Sequence, residues 1–386
     1  WDAKGKAWYL PPGKDPLLFK ENWSYLENTF KDRELLKKRG CRYNSKLKKW
    51  YVPRDRDYDE FVKWWPNSLK QYVFAEKFVV QRFISRTGQA EVFIATDPVN
   101  KQQFAVKYFL PHIENISSAT HRRAIQGEIE ALEKLEKHQN IVKYHDWGTR
   151  DETERFFIVS EWHSLGSLAD FIEKSDEEII FHLALIYDLD DDDVDEMLEE
   201  LKKSPTDTWL DQENVLIGIL EGITYAHSKN VLHRDIKPQN ILLDYDLENE
   251  KTDYFASICD FGAAKIYDGG EIKQSAHTVV DFKTKMYRPE FSENGNIELQ
   301  YQETWDLYAW GLMAIEVLAN KFFNTWEQAQ EVLTTELAPK MDKKIVSLIK
   351  KAISKDPTKR PKDIKKFKDQ LIALTESRKK RLQWQE

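Results

Sequence analysis

The sequence predicts an α+β protein in two modules, and three observations lead there. First, 386 residues with 41% hydrophobic content suffice for two packed cores. Second, charge changes sign along the chain: residues 1–70 carry 17 Lys+Arg against 10 Asp+Glu, whereas the remainder carries 41 against 56. Such an asymmetry separates modules with different partners, and the boundary falls near "WWPNSLKQY", Trp64 to Tyr72. Third, the downstream module shows both kinds of secondary structure. "FFIV" reads as an apolar strand, and "EIEALEKL" places Glu128, Leu132 and Leu135 on one helical face at i, i+4 and i+7.

Several classes are set aside at this level. Two cysteines, Cys41 and Cys259, are too few for a disulfide framework, and no His/Cys cluster has metal-ligand spacing. A reducing, cytoplasmic setting is expected. The longest apolar runs, "FFIV" and "GLMAIEVLA", fall far short of a membrane span, so no membrane partner is expected. No charged-then-apolar leader opens the chain, and Trp1 in place of an initiating methionine leads to the expectation that residues precede it.

The first module contains a repeat. "WDAKGKAWYLPPGKDPLLF" from Trp1 aligns without gaps on "YNSKLKKWYVPRDRDYDEF" from Tyr43, superimposing Trp8 on Trp50, Pro11 on Pro53 and Phe19 on Phe61. Each unit reads as a turn, a short aromatic strand ended by proline, and a helix turning Phe and Trp inward. The pattern resembles a small domain of unknown function found in bacterial and plasmid-borne proteins. "KKRGCRYNSKLKKWYVPR" interleaves basic and aromatic residues as single-strand nucleic-acid surfaces do. The same residues equally describe a tiny aromatic core with a lysine rim, so a nucleic-acid partner, a protein partner and a purely structural role all stay open.

The second module carries the chemistry. "HRDIKPQN" spans His233 to Asn240, and "DFG" opens at Asp260. "FAVK" ends at Lys107 upstream, while "YRPE" (Tyr287 to Glu290), "DLYAWG" from Asp306 and "DPTKRP" around Arg360 follow in order. Over roughly residues 72–372 the chain resembles the eukaryotic-like (Hanks-type) protein kinases. The resemblance implies a bilobal fold within residues 71–386. Its β-rich N-lobe would cover about 71–163 and its α-helical C-lobe about 164–386, after a small α/β tandem-repeat domain at 1–70. It also implies ATP- and Mg2+-dependent transfer of the γ-phosphate to Ser/Thr hydroxyls of a protein substrate, with autophosphorylation.

Phosphoryl transfer needs a positioned acceptor and neutralised phosphate charge rather than covalent chemistry from the protein. The resemblance distributes those tasks. Lys107 would contact the α- and β-phosphates, held by Glu128 or, on another helical face, Glu130. Asp235 would orient and deprotonate the acceptor, and Lys237 would steady the transferred phosphate. Asn240 and Asp260 would hold magnesium through hard oxygen ligands. Ser160 takes the gatekeeper position, Glu161 to His163 would offer backbone groups to adenine, and Val92, Ala105 and Leu242 would sandwich the ring. Cys259 would lie near the nucleotide, as an alkylatable thiol or an inert buried one. Arg234, Glu290, Asp306 and Arg360 are structural, with Glu290 pairing Arg360. Ser275 and Thr278 are candidate phosphosites of the activation segment, and Thr284 with Lys237 points to Ser/Thr acceptors.

Three departures accompany the likeness. The family's glycine-rich loop is represented by "FISRTGQAEVFIA", where Ser85, Thr87 and Ala90 stand at the glycine positions and Gly88 is out of register. A left-handed conformation at such a residue would cost about 1–2 kcal/mol, weakening nucleotide binding without abolishing it. "YRPE" lacks the usual alanine before Pro289, so the segment is shorter than the pattern at Arg288. Finally, "DEEIIFHLALIYDLDDDDVDEMLEELKKSPTDTW" is longer and more acidic than the family connection, reading as a solvated, helix-starting acid run. The terminal "SRKKRLQWQE" reads as a fraying helix end. Besides an active kinase, the alternatives are a pseudokinase or ATP-binding scaffold, a small-molecule phosphotransferase, and a nucleic-acid-associated regulatory protein.

Overall fold

The computed structural model describes residues 24–26, 33–39, 41–44, 49–52, 73–75, 77–86, 89–110, 118–135, 138–150, 155–175, 177–180, 194–195, 212–245, 254–268, 271–272, 286–288 and 303–383. Near the N-terminus, β1 (Ser24–Leu26), β2 (Arg42–Asn44) and β3 (Lys49–Val52) form an antiparallel sheet in the order β1-β3-β2, with α1 (Arg33–Lys38) between the first two. The strand expected at Trp50 and Tyr51 is β3. Tyr43 stands opposite Trp50, with ring centroids 5.5 Å apart. Residues 1–23 and 53–72, which hold the rest of the repeat pair, lie outside the described residues.

The chain divides into two compact units, residues 1–118 with 144–162 and residues 119–143 with 163–386. In the first unit a six-stranded antiparallel sheet is built from β4 (Val73–Phe74), β5 (Phe78–Arg86), β6 (Ala90–Thr96), β7 (Gln103–Phe109), β8 (Tyr144–Arg150) and β9 (Arg155–Glu161), in the order β4-β5-β6-β7-β9-β8. The two-residue period of a strand sends Phe104, Val106 and Tyr108 of β7 into an aromatic core with Phe74, Phe78, Phe93 and Phe157. Phe74 lies 5.0 Å from Phe157 and Phe78 4.8 Å from Phe104, centroid to centroid, a spacing that adds to burial. Ala105 and Lys107 therefore fall on the opposite face of β7. Arg155 sits over the Tyr108 ring and donates to the Phe109 carbonyl and the Glu91 carboxylate, tying β6, β7 and β9 together.

The second unit is mainly helical. α2 (Ser118–Lys134) is followed in this unit by α3 (Gln212–Ser228), α4 (Glu303–Ala319), α5 (Trp326–Val332), α6 (Lys343–Ala352) and α7 (Ile364–Gln383). α4 is apolar all round and is the central helix, with Trp310, Leu312, Met313, Ala314 and Ile315 almost wholly buried. Trp310 donates to the Leu216 carbonyl of α3 and meets Phe367 of α7 edge-on. α7 runs to Gln383, and Arg378 pairs with Glu213 of α3 at 2.5 Å.

α2 lies within the expected N-lobe span of 71–163, yet from Ala119 onward it clusters with the helical unit. The turn that follows it supplies the reason. Asn140 accepts from Ile258 N–H, Val142 N–H donates to the Ile258 carbonyl, and the Asn140 amide donates to the Ala256 carbonyl. α3 comes close enough to cover this turn because Gly218 and Gly222 lack side chains. A Cβ on Gly222 would stand 2.6 Å from the Asn140 carbonyl, and one on Gly218 would stand 2.6 Å from the Asn140 amide nitrogen.

Short strands frame the loops that matter most. β10 (Gly166–Ser167), β12 (Ile241–Tyr245) and β13 (Tyr254–Ile258) form one antiparallel sheet, and β11 (Val231–Leu232), β14 (Lys265–Asp268) and β15 (Glu271–Ile272) another. Residues 233–240 run between β11 and β12, and Asp260 follows β13. Among the described residues no helix is long and apolar enough to cross a membrane. Nearly all of the acidic stretch 176–209 lies outside the described residues.

Candidate active site

The loop 233–240 hangs from one carboxylate. Asp306 of α4, 1% exposed, accepts the N–H of His233 at 2.9 Å and of Arg234 at 2.7 Å, and bonds the His227 ring at 2.8 Å. Burial alone would raise this carboxyl. The His227 hydrogen bond and charge, the His233 charge and the Arg234 amide outweigh it and hold Asp306 below the usual carboxylate range. The anchoring supports strain, because Arg234 is left-handed at φ 67, a conformation that costs a non-glycine residue about 1–2 kcal/mol. Arg234 also lies over the Trp305 ring at 5.2 Å.

His233 joins this loop to the strand that leads to Asp260. Its Nε2 lies 3.0 Å from the Cys259 carbonyl, its Nδ1 accepts from Asp235 N–H, and its ring meets Phe261 edge-on at 4.7 Å. A further main-chain bond runs from Cys259 N–H to the Asn240 carbonyl at 2.9 Å. Cys259 is half-buried.

Asp235 has two unlike oxygens. Oδ2 accepts from Lys237 Nζ at 2.8 Å and from the Asn240 amide at 3.1 Å, and the same amide donates to the Asp235 carbonyl. Oδ1 is buried and has no hydrogen-bond partner among the described residues. A carboxylate with one oxygen fixed and the other open is oriented to accept a proton at the open position. Asn240, having committed its nitrogen to Asp235, keeps its amide oxygen for another ligand.

Asp260 is exposed and left-handed at φ 61, and it precedes a tight approach at Gly262. A Cβ on Gly262 would lie 3.1 Å from Glu128 Oε2 and 3.2 Å from Asp260 Oδ1. The missing side chain thus admits two carboxylates, one from α2 and one from the segment after β13. Glu128 is buried and Glu130 exposed. Asn240 and Asp260 offer oxygen donors of the hard type that magnesium takes, with phosphate and water completing its shell. No cluster of three or more His, Cys, Asp or Glu suited to a metal occurs among the described residues, so an all-protein cage is not built there.

In the β-rich unit, Ser85 stands opposite Val92 and Ala90 opposite Phe109. Neither Ser85 nor Ala90 has a positive φ, so the strain foreseen for non-glycine residues does not arise at these two. Thr87 and Gly88 lie outside the described residues. Val92 pairs with Lys107, whose Nζ is 5.1 Å from the Phe109 ring centroid, and Ala105 pairs with Ser160. Glu161 ends β9. In the helical unit, His163 is buried with Nδ1 3.8 Å from Asp244, and Leu242 lies in β12 opposite Ser167 and Ser257. Ser275, Thr278, Thr284 and Glu290 fall outside the described residues.

Arg360 is buried, donates to the Ser354 and Lys355 carbonyls, and lies 4.6 Å over the Tyr308 ring. Burial pushes its guanidinium down to about 10. Tyr287 is buried and donates its hydroxyl to Glu316 of α4, which also accepts Phe323 N–H. Burial pushes the Glu316 carboxyl up to about 7 despite both donors. Sequence reasoning overlooked His227, Asn140 and Glu316. All three act through partners remote in sequence, and none belongs to a motif whose spacing announces it.

Comparison with known proteins bears on this geometry. A family model described as the protein kinase domain matches residues 78–383. Serine/threonine-protein kinase D of Synechocystis is 25% identical over 74% of this chain and 50% of its own length. Calcium-dependent protein kinase 4 of Plasmodium berghei is 26% identical over 51% of this chain and 30% of its own. The chain thus spans half or less of the length of these relatives. Among solved structures, the kinase domain of Mycobacterium tuberculosis PknI aligns with a TM-score of 0.48 at 18% identity, covering 78% of this chain and 98% of that one.

Proposed function

The chain belongs to the protein kinase family, and from that premise we propose that it transfers the γ-phosphate of ATP, with Mg2+, to Ser/Thr hydroxyls of proteins, its own included. The observation that carries the reading is the asymmetric Asp235 carboxylate, with Lys237 and Asn240 on Oδ2 and an open Oδ1. An acceptor hydroxyl donates to Oδ1 and gives up its proton there as its oxygen attacks phosphorus. Lys237, already beside the base, meets the charge that builds on the transferred group. Asn240 and Asp260 would hold the metal, and Lys107 and Glu128 keep the roles that the resemblance gives them. When bound, magnesium-ATP supplies the transferable phosphoryl group and a metal charge that offsets the phosphate oxygens. Residues 1–70 are included as a separate module of the same protein.

Incubation with labelled ATP and magnesium tests the proposal. Phosphate should appear on the protein or on a protein acceptor, and Asp235→Ala should lower the rate about 10³-fold, within the usual contribution of a positioned base. Label that is equal in wild type and Asp235→Ala would remove the assignment, and label found only on an added sugar or antibiotic would move the chain to small-molecule phosphotransfer. Nucleotide binding without transfer would leave the scaffold reading.

A further inference from the structure

We propose that a cavity in the helical unit, sharing no residue with the candidate active site, binds a small phosphate monoester rich in hydroxyl groups, of the sugar-phosphate class. The cavity lies between α3, α7 and the turn after α2, and its volume is about 490 Å³, within the range of small-molecule sites. The proposal stands apart from the protein kinase reading, because its walls take no part in phosphate transfer.

Two of the walls are chemically unlike. α7 contributes Lys365 and Lys368. Among the described residues Lys365 has no ion pair. Lys368, its side chain only 18% exposed, comes no nearer to a described carboxylate than 3.9 Å, from the exposed Asp369, which is too far for a hydrogen bond. The two lysines end a basic stretch: residues 343–368 hold ten lysines and Arg360 against Asp356 and Asp363, in a chain of net charge −8. The local field therefore draws anions. α3 contributes acceptors instead. Thr224 and Ser228 donate their hydroxyl hydrogens to the Leu220 and Tyr225 carbonyls, each at 2.7 Å, and keep oxygen lone pairs for a ligand. Glu221, beside them, has no hydrogen bond or ion pair among the described residues.

The turn after α2 supplies the third wall and is firmly held. His138 stacks on Tyr225 of α3 with ring centroids 4.6 Å apart, and its Nδ1 accepts Asn140 N–H at 3.1 Å. Burial holds the ring below the usual imidazole range, the Glu221 charge opposing and the Lys368 charge adding to the effect. The neutral ring thus carries its proton on Nε2, a further donor. Behind it, Gln139 and Asn140 are bonded to β13 through the Ser257 hydroxyl and the Ile258 N–H. A bare anion would satisfy the lysines and leave the α3 acceptors unmet, and a neutral polyol would do the reverse. A phosphate carrying several hydroxyls meets both walls, its double charge suiting two ammonium groups.

Isothermal titration of the full chain tests the site, with Mg2+ and a non-hydrolysable ATP analogue present so that any nucleotide site is already filled. The probes are glucose 6-phosphate, glycerol 3-phosphate, inorganic phosphate and glucose. At least one of the two phosphate esters should saturate with a Kd below about 1 mM and bind about tenfold tighter than inorganic phosphate or glucose. Lys365→Ala and Lys368→Ala should each weaken that ester about tenfold, and the Lys→Arg replacements should largely restore it. Glu221→Gln should weaken the ester several-fold without weakening inorganic phosphate, a split that damaged folding would not produce. No saturation by either ester at about 10 mM overturns the proposal, as does binding that ignores both lysines. Inorganic phosphate binding as tightly as the esters, or a phosphoserine peptide binding as tightly, overturns the assignment to a hydroxylated small molecule. Failure of phosphate transfer from ATP would remove the kinase reading and leave these binding results standing.

Discussion

The hairpin of β5 and β6 and the loop from His233 to Asn240 are built by opposite means. In the hairpin, position is set by main-chain pairing, and Ser85 and Ala90 occupy extended conformations that any residue adopts. In the loop, position is set by buried side chains: Asp306 fixes two successive amides, and Asn240 and Lys237 fix Asp235. Main-chain pairing is indifferent to side-chain identity, so Ser85 and Ala90 take their places without a left-handed backbone. Side-chain anchoring is not, and the loop retains each of its charged and amide groups.

Removing the anchor should break the loop side of this contrast most severely. Asp306→Ala leaves the amides of His233 and Arg234 unmet in a buried place and releases the strain at Arg234. Stability should fall by about 3–5 kcal/mol, read as a shift of the denaturation midpoint, with phosphate transfer lost. An unchanged midpoint would mean that the loop does not depend on α4.

A second fixed point on α4 should show itself through pH. Burial raises Glu316 to about 7, above its ordinary value near 4.5. The folded state therefore holds this proton more tightly than the unfolded chain, and its contribution is complete below pH 4.5 and lost as pH rises toward and through 7. The loss amounts to at most about 3 kcal/mol. Denaturation between pH 4.5 and 8 should show a declining component that Glu316→Gln flattens, whereas Asp306, lowered in the fold, works in the opposite sense and weakens the protein as acid is added.

Gly222→Ala tests the close approach of α3 to the turn at Asn140. Its Cβ would meet the main-chain carbonyl of Asn140, which cannot swing aside, so a loss of about 1–3 kcal/mol is expected. Gly218→Ala meets a side-chain amide instead and should cost less. The smallest effect belongs to the hairpin. Ser85→Gly should bring no gain in nucleotide affinity by isothermal titration and lower stability by only about 0.5 kcal/mol. A tenfold gain in affinity would show that side-chain identity governs the hairpin after all.

Part of the site was legible in one short motif, because Asp235, Lys237 and Asn240, close in sequence, meet through hydrogen bonds in the fold. What escaped was contact between distant segments. Gly218 and Gly222 look like ordinary flaws in a helix until Asn140 is placed against them. Glu316 looks like a misplaced charge in an apolar helix until Tyr287 reaches it. Arg288 read only as a missing alanine, because its ion pair with Asp235 depends on how the chain returns over 53 residues. The pairing of Arg378 with Glu213 escaped for the same reason, since the two lie 165 positions apart in sequence.

The turn after α2 carries one more implication. Ile258 is clasped on both sides of its peptide by residues 140 and 142, so the backbone that delivers Asp260 and the backbone that delivers Glu128 are effectively spliced two residues before the first and a dozen after the second. A disturbance that displaces α2 must then drag Asp260 with it. A ligand or partner that gripped α2 would acquire leverage over the segment after β13, Asp260 included.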